Sequence, residues 1–225
     1  MCEHCTRREF LERAGLAGAL MAGGLKWSHA GASQSPPPQP RGKSKICVIF
    51  SGEPAPGDRD WGADAGQVEA VKKRLAKAEK DLGNIELVMG QSKSTEQTAA
   101  LLKKAGPEVP VLAVNTRNFA LTRVVQPVLD GAHPMVFFSL PASGHDWMYA
   151  PRWHRQGHRV TLLASSDLNE LERALRLLRV GPMMKQTRVL LFPPARGTVP
   201  ARSPEEVKKR LGADVVAIDE KTFND

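Results

Sequence analysis

The chain has 225 residues, of which 41% are hydrophobic and 25% charged, with 32 lysines and arginines against 24 aspartates and glutamates. The basic excess is spread over predicted helix faces, as at Lys72, Lys73, Lys77 and Lys80, without the interleaved aromatic residues of a nucleic-acid-binding surface, so nucleic acid is not an expected partner. Three cysteines are too few for a disulfide scaffold, and stability must come from a hydrophobic core.

The amino-terminal segment 1–32 predicts a twin-arginine signal peptide. A charged region precedes the apolar run Ala14–Leu25, and Ala30 and Ala32 supply the small residues that a signal peptidase accepts. This run is shorter than the about 20 residues that span a bilayer, so an uncleaved anchor is the weaker alternative. Paired arginines stand before a Phe-Leu step in the export motif, which consists of Arg7, Arg8, Phe10 and Leu11.

The twin-arginine pathway transports proteins that have already folded in the cytoplasm. We therefore expect a periplasmic or otherwise extracytoplasmic protein, with the twin-arginine translocase as a partner and no membrane span in a mature chain that begins near Ser33. Cys2 and Cys5 form a Cys-x-x-Cys pair but would leave with the leader. Cys47 lies in an apolar run, where a small buried side chain is the expected role.

The rest of the chain divides into a linker and a domain. Residues 33–44 predict an extended Pro-rich linker, and residues 45–225 are enough for one domain with a substantial core. Short apolar runs alternate there with helical patterns, which predicts a doubly wound, mostly parallel, Rossmann-like α/β sheet with helices on both faces. The seven predicted strands are Ile46–Phe50, Ile85–Met89, Val109–Val114, Met135–Leu140, Val160–Ala164, Val189–Phe192 and Val215–Ile218.

Local signals mark the ends of two predicted helices. Ser94 with Gln97, and Ser203 with Glu206, have the spacing of capping boxes. Glycine is favoured just after a helix, and Gly106 and Gly212 stand where these two helices should end.

The loop after the first predicted strand, residues 51–61, is long and polar. It has neither a Gly-x-Gly-x-x-Gly nor a Walker pattern, so the usual phosphate cradles of dinucleotide- and NTP-binding proteins are missing from it. Glu53, Asp58, Arg59 and Asp60 form either a ligand-facing cluster, with Glu53 as a binding residue, or a solvated turn.

Two further loops are expected at the same edge of the sheet, where ligands bind in such folds. After the third strand, Asn115 and Arg117 can bind sugar hydroxyls or carboxylates, although Asn115 and Thr116 capping the next helix is the favoured alternative. After the fourth strand come Ser139, His145 and Asp146.

The Ser, His and Asp of the fourth loop do not predict a hydrolase, because the Gly-x-Ser-x-Gly elbow is missing and triad members come from separated positions. We expect Ser139, His145 and Asp146 to bind a polar ligand, with no catalytic residue assigned. Alternatively, Asp146 caps the next helix and Trp147 packs beneath it, which we favour for Trp147. His154 and His158 are four residues apart, but Gly157 favours a loop and no nearby carboxylate completes a metal site.

Three stretches, residues 134–147, 165–190 and 211–218, carry a resemblance to a known family. From Lys45 onward the chain resembles the amino-terminal region of L-fucose and L-arabinose isomerase-like proteins, especially exported bacterial members with twin-arginine leaders. The resemblance implies an aldose–ketose isomerase ancestry, in which a divalent metal, usually manganese, polarises the sugar carbonyl and hydroxyl. In that family the metal ligands lie in later domains, and no position here matches their motifs. We therefore expect no cofactor in this chain, and manganese only with a further domain.

Three hypotheses from different functional classes remain open. The chain is the leading part of a longer or split isomerase-like protein whose activity needs a carboxyl-terminal half, as its end soon after the last predicted strand suggests. Alternatively, it is an autonomous extracytoplasmic module that binds a carbohydrate or another small polar ligand through Asn115, Arg117, His145 and Asp146. In the third hypothesis it is a non-catalytic interaction subunit, folded and exported with a partner chain.

Overall fold

The central sheet of the computed structural model has five parallel strands: β1 (Ser44–Ser51), β2 (Ile85–Ser92), β3 (Val111–Asn115), β4 (Met135–Ser139) and β5 (Val160–Ala164). Their spatial order is β2-β1-β3-β4-β5, so the order reverses at β1 and β3. The structure describes residues 42–53, 61–141, 143–192, 198 and 203–218. The export motif, the cleavage site and nearly all of the linker lie outside the described residues.

Helices cover both faces of this sheet, which confirms the predicted doubly wound α/β class. The described helices that precede residue 187 are α1 (Ala65–Leu82), α2 (Thr95–Ala105), α3 (Ala120–Val124), α4 (Gln126–Asp130), α5 (Ala150–Arg155), α6 (Asn169–Leu178) and α7 (Val180–Lys185). On one face α1 and α6 bury Leu75 and Leu171 against the strands, and on the other face α2 to α5 bury residues such as Leu121 and Trp153. A 3₁₀ turn, Asp146–Tyr149, leads into α5.

The strands are apolar on both faces because both faces are covered. In β1 every residue except Lys45 is buried, and β3 and β4 are buried throughout. Cys47 is fully buried in β1, and this burial raises the pKa of its thiol to about 12. It therefore fills the role of a small apolar residue, as expected.

The helix ends follow the sequence signals in most respects. The Ser94 and Ser203 hydroxyls accept hydrogen bonds from the Gln97 and Glu206 backbone N–H groups. At Ser94 the capping box is incomplete. The Gln97 side-chain oxygen accepts a hydrogen bond from the Lys93 backbone N–H instead of from the Ser94 backbone N–H. Gly106 and Gly212 end their helices as predicted. A complete capping box, which the sequence analysis did not identify, begins α1 at Asp64 and Gln67.

The last two predicted strands form a separate two-stranded parallel sheet instead of extending the central one. It consists of β6 (Arg188–Leu191) and β7 (Asp214–Ala217), joined through α8 (Pro204–Leu211). In the part of the chain that the structure describes, β5 pairs with β4 alone and is half-exposed, as an edge strand would be. Five of the seven predicted strands therefore form the central sheet, and the other two form the separate sheet. Among the described residues, no helix is both long and apolar enough to cross a membrane.

Candidate functional site

Polar residues end four neighbouring strands at the carboxyl edge of the sheet. Ser51 at the end of β1 is in register with Ser92 of β2 and Asn115 of β3, and Asn115 is in register with Ser139 of β4. All four are buried. In open α/β sheets ligands bind at this edge, where the strand order reverses, so the row lies at the expected place for a site.

These residues belong to a buried polar network that joins three loops. The Asn115 side-chain oxygen accepts from the Ser51 hydroxyl at 2.8 Å, and its amide nitrogen donates to the Ser143 carbonyl at 3.0 Å and to the Asp146 carboxylate at 3.2 Å. The other Asp146 carboxylate oxygen accepts from the Thr122 backbone N–H at 3.0 Å. Asn115 and Asp146 are both fully buried, so in this structure they hold the loops after β1, β3 and β4 in place.

The capping roles differ from those considered for the sequence. Asn115 and Thr116 do not cap α3: Asn115 binds within the network, and the Thr116 hydroxyl donates to the Ser51 carbonyl at 2.5 Å. Asp146 caps α3 instead, although it is distant in sequence. Its carboxylate accepts a hydrogen bond from the Thr122 backbone N–H in the first turn of α3, and the N-cap residue Phe119 makes no side-chain capping bond. Trp147, expected to pack beneath its helix, is 48% exposed.

Ser139 is buried and lies within this network rather than facing solvent. Its hydroxyl is 3.3 Å from the Ser143 hydroxyl, and the Ser143 hydroxyl donates to the Leu140 carbonyl at 2.7 Å. The His145 ring instead contacts aromatic rings of other loops. The structure therefore does not assemble the Ser, His and Asp of this loop as a nucleophilic triad.

Glu53 and Arg117 lie near each other at the ends of β1 and β3. Lys93 donates a hydrogen bond to the Glu53 carboxylate, and this bond and the charge of Lys93 lower the pKa of Glu53, with a smaller contribution from the charge of Arg117. Glu53 is thus already paired with Lys93, whereas Arg117 is half-buried beside Gly52. Asp58, Arg59 and Asp60 lie outside the described residues.

Backbone hydrogen bonds attach the segment before α1 to the loop after β3. The Ala63 N–H donates to the Thr116 carbonyl at 2.8 Å, the Asn118 N–H donates to the Trp61 carbonyl at 3.1 Å, and Gly62 and Arg117 form an antiparallel bridge. This pairing fixes the position of Trp61 above the edge of the sheet.

Gly144 allows the third loop to approach the same place. Its φ of +96° is unfavourable for other residues, and a Cβ there would lie 2.2 Å from the Asn118 side-chain oxygen and 2.5 Å from the Asn118 Cα. The next residue, His145, donates its backbone N–H to that oxygen at 2.9 Å. The close contact therefore places His145 over the loop after β3.

The three loops bring together a surface cluster of aromatic rings, Trp61, Phe119 and His145, which we name the ring cluster. The centroid of the His145 ring is 5.0 Å from that of Trp61 and 6.5 Å from that of Phe119. Trp61 is 59% and Phe119 39% exposed, and His145 is also exposed. Phe119 has a φ of +54°, a left-handed conformation that is strained for a bulky residue and is found preferentially at functional sites.

A small cavity of about 290 Å³ lies at the same edge, on the α1 side. Gly52 and Thr116 line it together with Phe50, Val68 and Lys72. No local sequence pattern marks Trp61 or Phe119 as functional, because the rings of the ring cluster meet only through contacts between distant loops.

The two histidines considered for metal binding lie at the opposite edge of the sheet. His154 is in α5, and His158 follows the turn at Gly157. Throughout the described segments, no three His, Cys, Asp or Glu side chains come together as a set that could hold a metal ion. No protein-family model, curated protein or solved structure matches this chain.

Proposed function

We propose that the protein is an exported α/β domain that binds a small polar ligand of the carbohydrate class at the carboxyl edge of its central sheet. The observation that carries this proposal is the ring cluster, Trp61, Phe119 and His145, held exposed at the point where the strand order reverses. The resemblance to sugar isomerase-like proteins supports the same ligand class.

The chemistry of the ring cluster fits a sugar. A pyranose has an apolar face of C–H groups and a rim of hydroxyls, so it can lie on aromatic rings while hydrogen-bonding to polar neighbours. Trp61 and Phe119 offer the apolar surface, and the exposed His145 ring provides a hydrogen-bonding group beside it. Exposed aromatic side chains grouped in this way are characteristic of binding surfaces.

The buried polar network supports the proposal by making the loops rigid. Asn115 and Asp146 have their polar atoms engaged inside the protein, so their contribution is to position the loops that carry Arg117 and His145. A site held in its binding conformation loses less conformational entropy when a ligand binds.

The proposal is restricted to binding. Metal-dependent isomerisation needs a set of metal ligands, and the described residues do not group as one. We therefore propose that any isomerase activity depends on residues supplied by a further domain or by a partner chain.

Titration with L-fucose and L-arabinose tests the proposal. We expect either sugar to raise the melting temperature of the protein, since a ligand that binds the native state stabilises it. Trp61→Ala and His145→Ala should abolish this rise, whereas Leu190→Ala, which truncates an exposed apolar side chain on β6, should leave it unchanged. An equal rise in the Trp61→Ala variant would contradict the proposed site.

A second candidate function, that of an interaction subunit, is favoured by the apolar surface of the β6–β7 unit. Two-stranded sheets are marginally stable alone, and parallel strands normally have both faces covered. In this unit no residue of β6, β7 or α8 is buried. Large apolar side chains exposed in this unit are Val189, Leu190, Phe192, Leu211 and Val216.

Light scattering after size-exclusion chromatography, and purification from the native host, test this second function. An interaction subunit should co-purify with a stoichiometric second chain, and Leu190→Asp should release that chain while the ring cluster remains intact. A monomer that purifies alone would exclude this role and leave the ligand-binding proposal unaffected.

A further inference from the structure

A large cavity lies at the amino edge of the sheet, opposite the ring cluster. It has a volume of about 1020 Å³ and is bounded by the start of β1, the segment after α2, the segment around β5 and helix α7. We name it the amino-edge cavity. Its volume is at the upper end of the range of about 300–1,000 Å³ found for small-molecule sites.

Most charged side chains in its lining are cationic. Lys43, Lys45, Arg159 and Lys185 line it, and so do His154 and His158. Among the described residues, the only carboxylate in the lining is that of Glu108, and Lys185 donates a hydrogen bond to it. The bond and charge of Lys185 lower the pKa of Glu108, and the charges of Arg159 and His133 act in the same direction. The field in the cavity therefore favours an anion.

Most of this positive charge is not neutralised by other side chains. Lys45 is 3.9 Å from Glu86, and both are about half-exposed, so this ion pair is weak. Arg159 donates to the Ala132 carbonyl at 2.5 Å, which occupies one of its five N–H groups. Among the described residues, no carboxylate forms an ion pair with Lys43, Arg159, His154 or His158.

An independent observation comes from Ser44, which also lines the cavity. Ser44 is 2% exposed, and its hydroxyl oxygen is buried without a hydrogen-bond partner in the described part of the chain. Such a group costs stability when it is left unpaired, and more than nine in ten buried polar groups have a partner. Basic side chains near helix carboxyl ends can simply complement the helix dipoles, but that role leaves the Ser44 hydroxyl unexplained.

Much of the remaining lining is apolar. Pro107, Pro110, Pro134, Met135 and Pro182 contribute rigid or buried apolar surface beside the cationic groups. A ligand that matches both parts has an anionic head group and an apolar body.

We propose that the amino-edge cavity binds a phosphate monoester with an apolar organic group. Lys43, Arg159 and His158 hold the phosphate, and the Ser44 side chain rotates so that its buried hydroxyl donates to a phosphate oxygen. Lysine and arginine are the usual phosphate-binding side chains, and a hydroxyl donates well to a phosphate oxygen. This site is separate from the ring cluster and does not rest on the carbohydrate proposal.

Calorimetric titration of the full chain with phenyl phosphate tests the proposal, with benzyl alcohol as the uncharged probe and inorganic phosphate as the head group alone. We expect saturable binding of phenyl phosphate, weaker binding of inorganic phosphate and none of benzyl alcohol. The double variant Lys43→Gln/His158→Gln should bind phenyl phosphate at least about tenfold more weakly, since hydrogen bonds to charged groups are lost. Lys73→Gln, which removes an exposed charge on α1, should not change the affinity.

The Ser44→Ala variant is the most specific test of the proposed site. Because its hydroxyl has no partner in the described structure, the ligand-free variant should melt at the same or a higher temperature, while its affinity for phenyl phosphate falls about tenfold. Unchanged affinity in both the Ser44→Ala and the Lys43→Gln/His158→Gln variants would overturn the proposal. So would the lack of saturable binding of phenyl phosphate, or binding of inorganic phosphate as strong as that of phenyl phosphate.

Discussion

Asp146 shows how one buried side chain can connect two loops at the carboxyl edge of the sheet. Its buried carboxylate accepts one hydrogen bond from the Asn115 amide and one from the first turn of α3. The partial positive charge of a helix amino end favours an anion at that position. A single side chain thus ties the loop after β4 to the loop after β3, and the geometry of the ring cluster depends on it.

Asp146→Asn should therefore destabilise the protein. An amide has one acceptor oxygen where the carboxylate has two, so either the Asn115 amide or the Thr122 N–H loses its partner. We expect the free energy of unfolding to fall by about 1–3 kcal/mol, measured by urea denaturation. Asp130→Asn is the matched control, because this exposed side chain accepts a single bond from Gln126 that an amide can also accept. Equal stability of the two variants would contradict the role assigned to Asp146.

Gly144 is the second residue on which the site depends, and Gly157 offers an internal comparison. Both have a positive φ, +96° and +89°, but a Cβ at Gly157 would meet no atom within 4 Å, whereas one at Gly144 would meet Asn118. Gly157→Ala should cost only the conformational penalty of about 1–2 kcal/mol. Gly144→Ala should cost more and should also weaken sugar binding, because His145 is displaced. Thermal unfolding of both variants measures the difference, and equal losses would show that the contact with Asn118 is unimportant.

At the scale of the elements, β1 is an inner strand of the sheet, since it pairs with both β2 and β3. Because β1 is buried, ionisation of the Cys47 thiol is coupled to unfolding. The pKa of this thiol is about 12 in the folded protein against an ordinary value of 9.0, so the folded chain retains a proton that the unfolded chain releases. The contribution of Cys47 to stability is therefore complete below pH 9 and declines as the pH rises from 9 towards 12.

Two measurements check this prediction in a chain carrying Cys2→Ser and Cys5→Ser. A thiol reagent such as DTNB at pH 8 should not react with the native protein and should react with one thiol after denaturation, because the thiolate is the reactive form. Cys47→Ala should reduce the loss of stability between pH 9 and pH 12. Rapid labelling of the native protein would contradict the buried, protonated state.

The elements also show which features a sequence determines locally. All seven strands were predictable to within three residues at either end, because the strands of a covered parallel sheet are short apolar runs. The division of these strands into a five-stranded and a two-stranded sheet was not predictable, since an apolar run predicts a strand but does not identify the strand that pairs with it. Likewise, the loops carrying Asn115 and Asp146 could be assigned to the carboxyl edge, whereas their direct hydrogen bond and the contact of Trp61 with His145 depend on long-range packing.

At the scale of the whole molecule, the two proposed sites occupy opposite edges of one sheet. Ser51 at the carboxyl edge and Ser44 at the amino edge are the two ends of β1, about 23 Å apart for a strand of this length. The ring cluster and the amino-edge cavity have no residue in common. Each site can therefore be altered by substitution while the other serves as a control for correct folding.

The predicted twin-arginine leader gives the last prediction at this scale, which is that the protein is exported in the folded state. The described domain has a complete two-sided core and a single buried cysteine, so it can fold in the reducing cytoplasm before transport. Arg7→Lys/Arg8→Lys should therefore leave the uncleaved precursor in the cytoplasm, with its domain folded and resistant to protease, whereas wild type reaches the periplasm. Arg13→Lys, a change to an arginine of the same leader outside the motif, should not affect export. Cell fractionation with immunoblotting measures the distribution, and periplasmic accumulation of the Lys-Lys variant at the wild-type level would show that another pathway exports the chain.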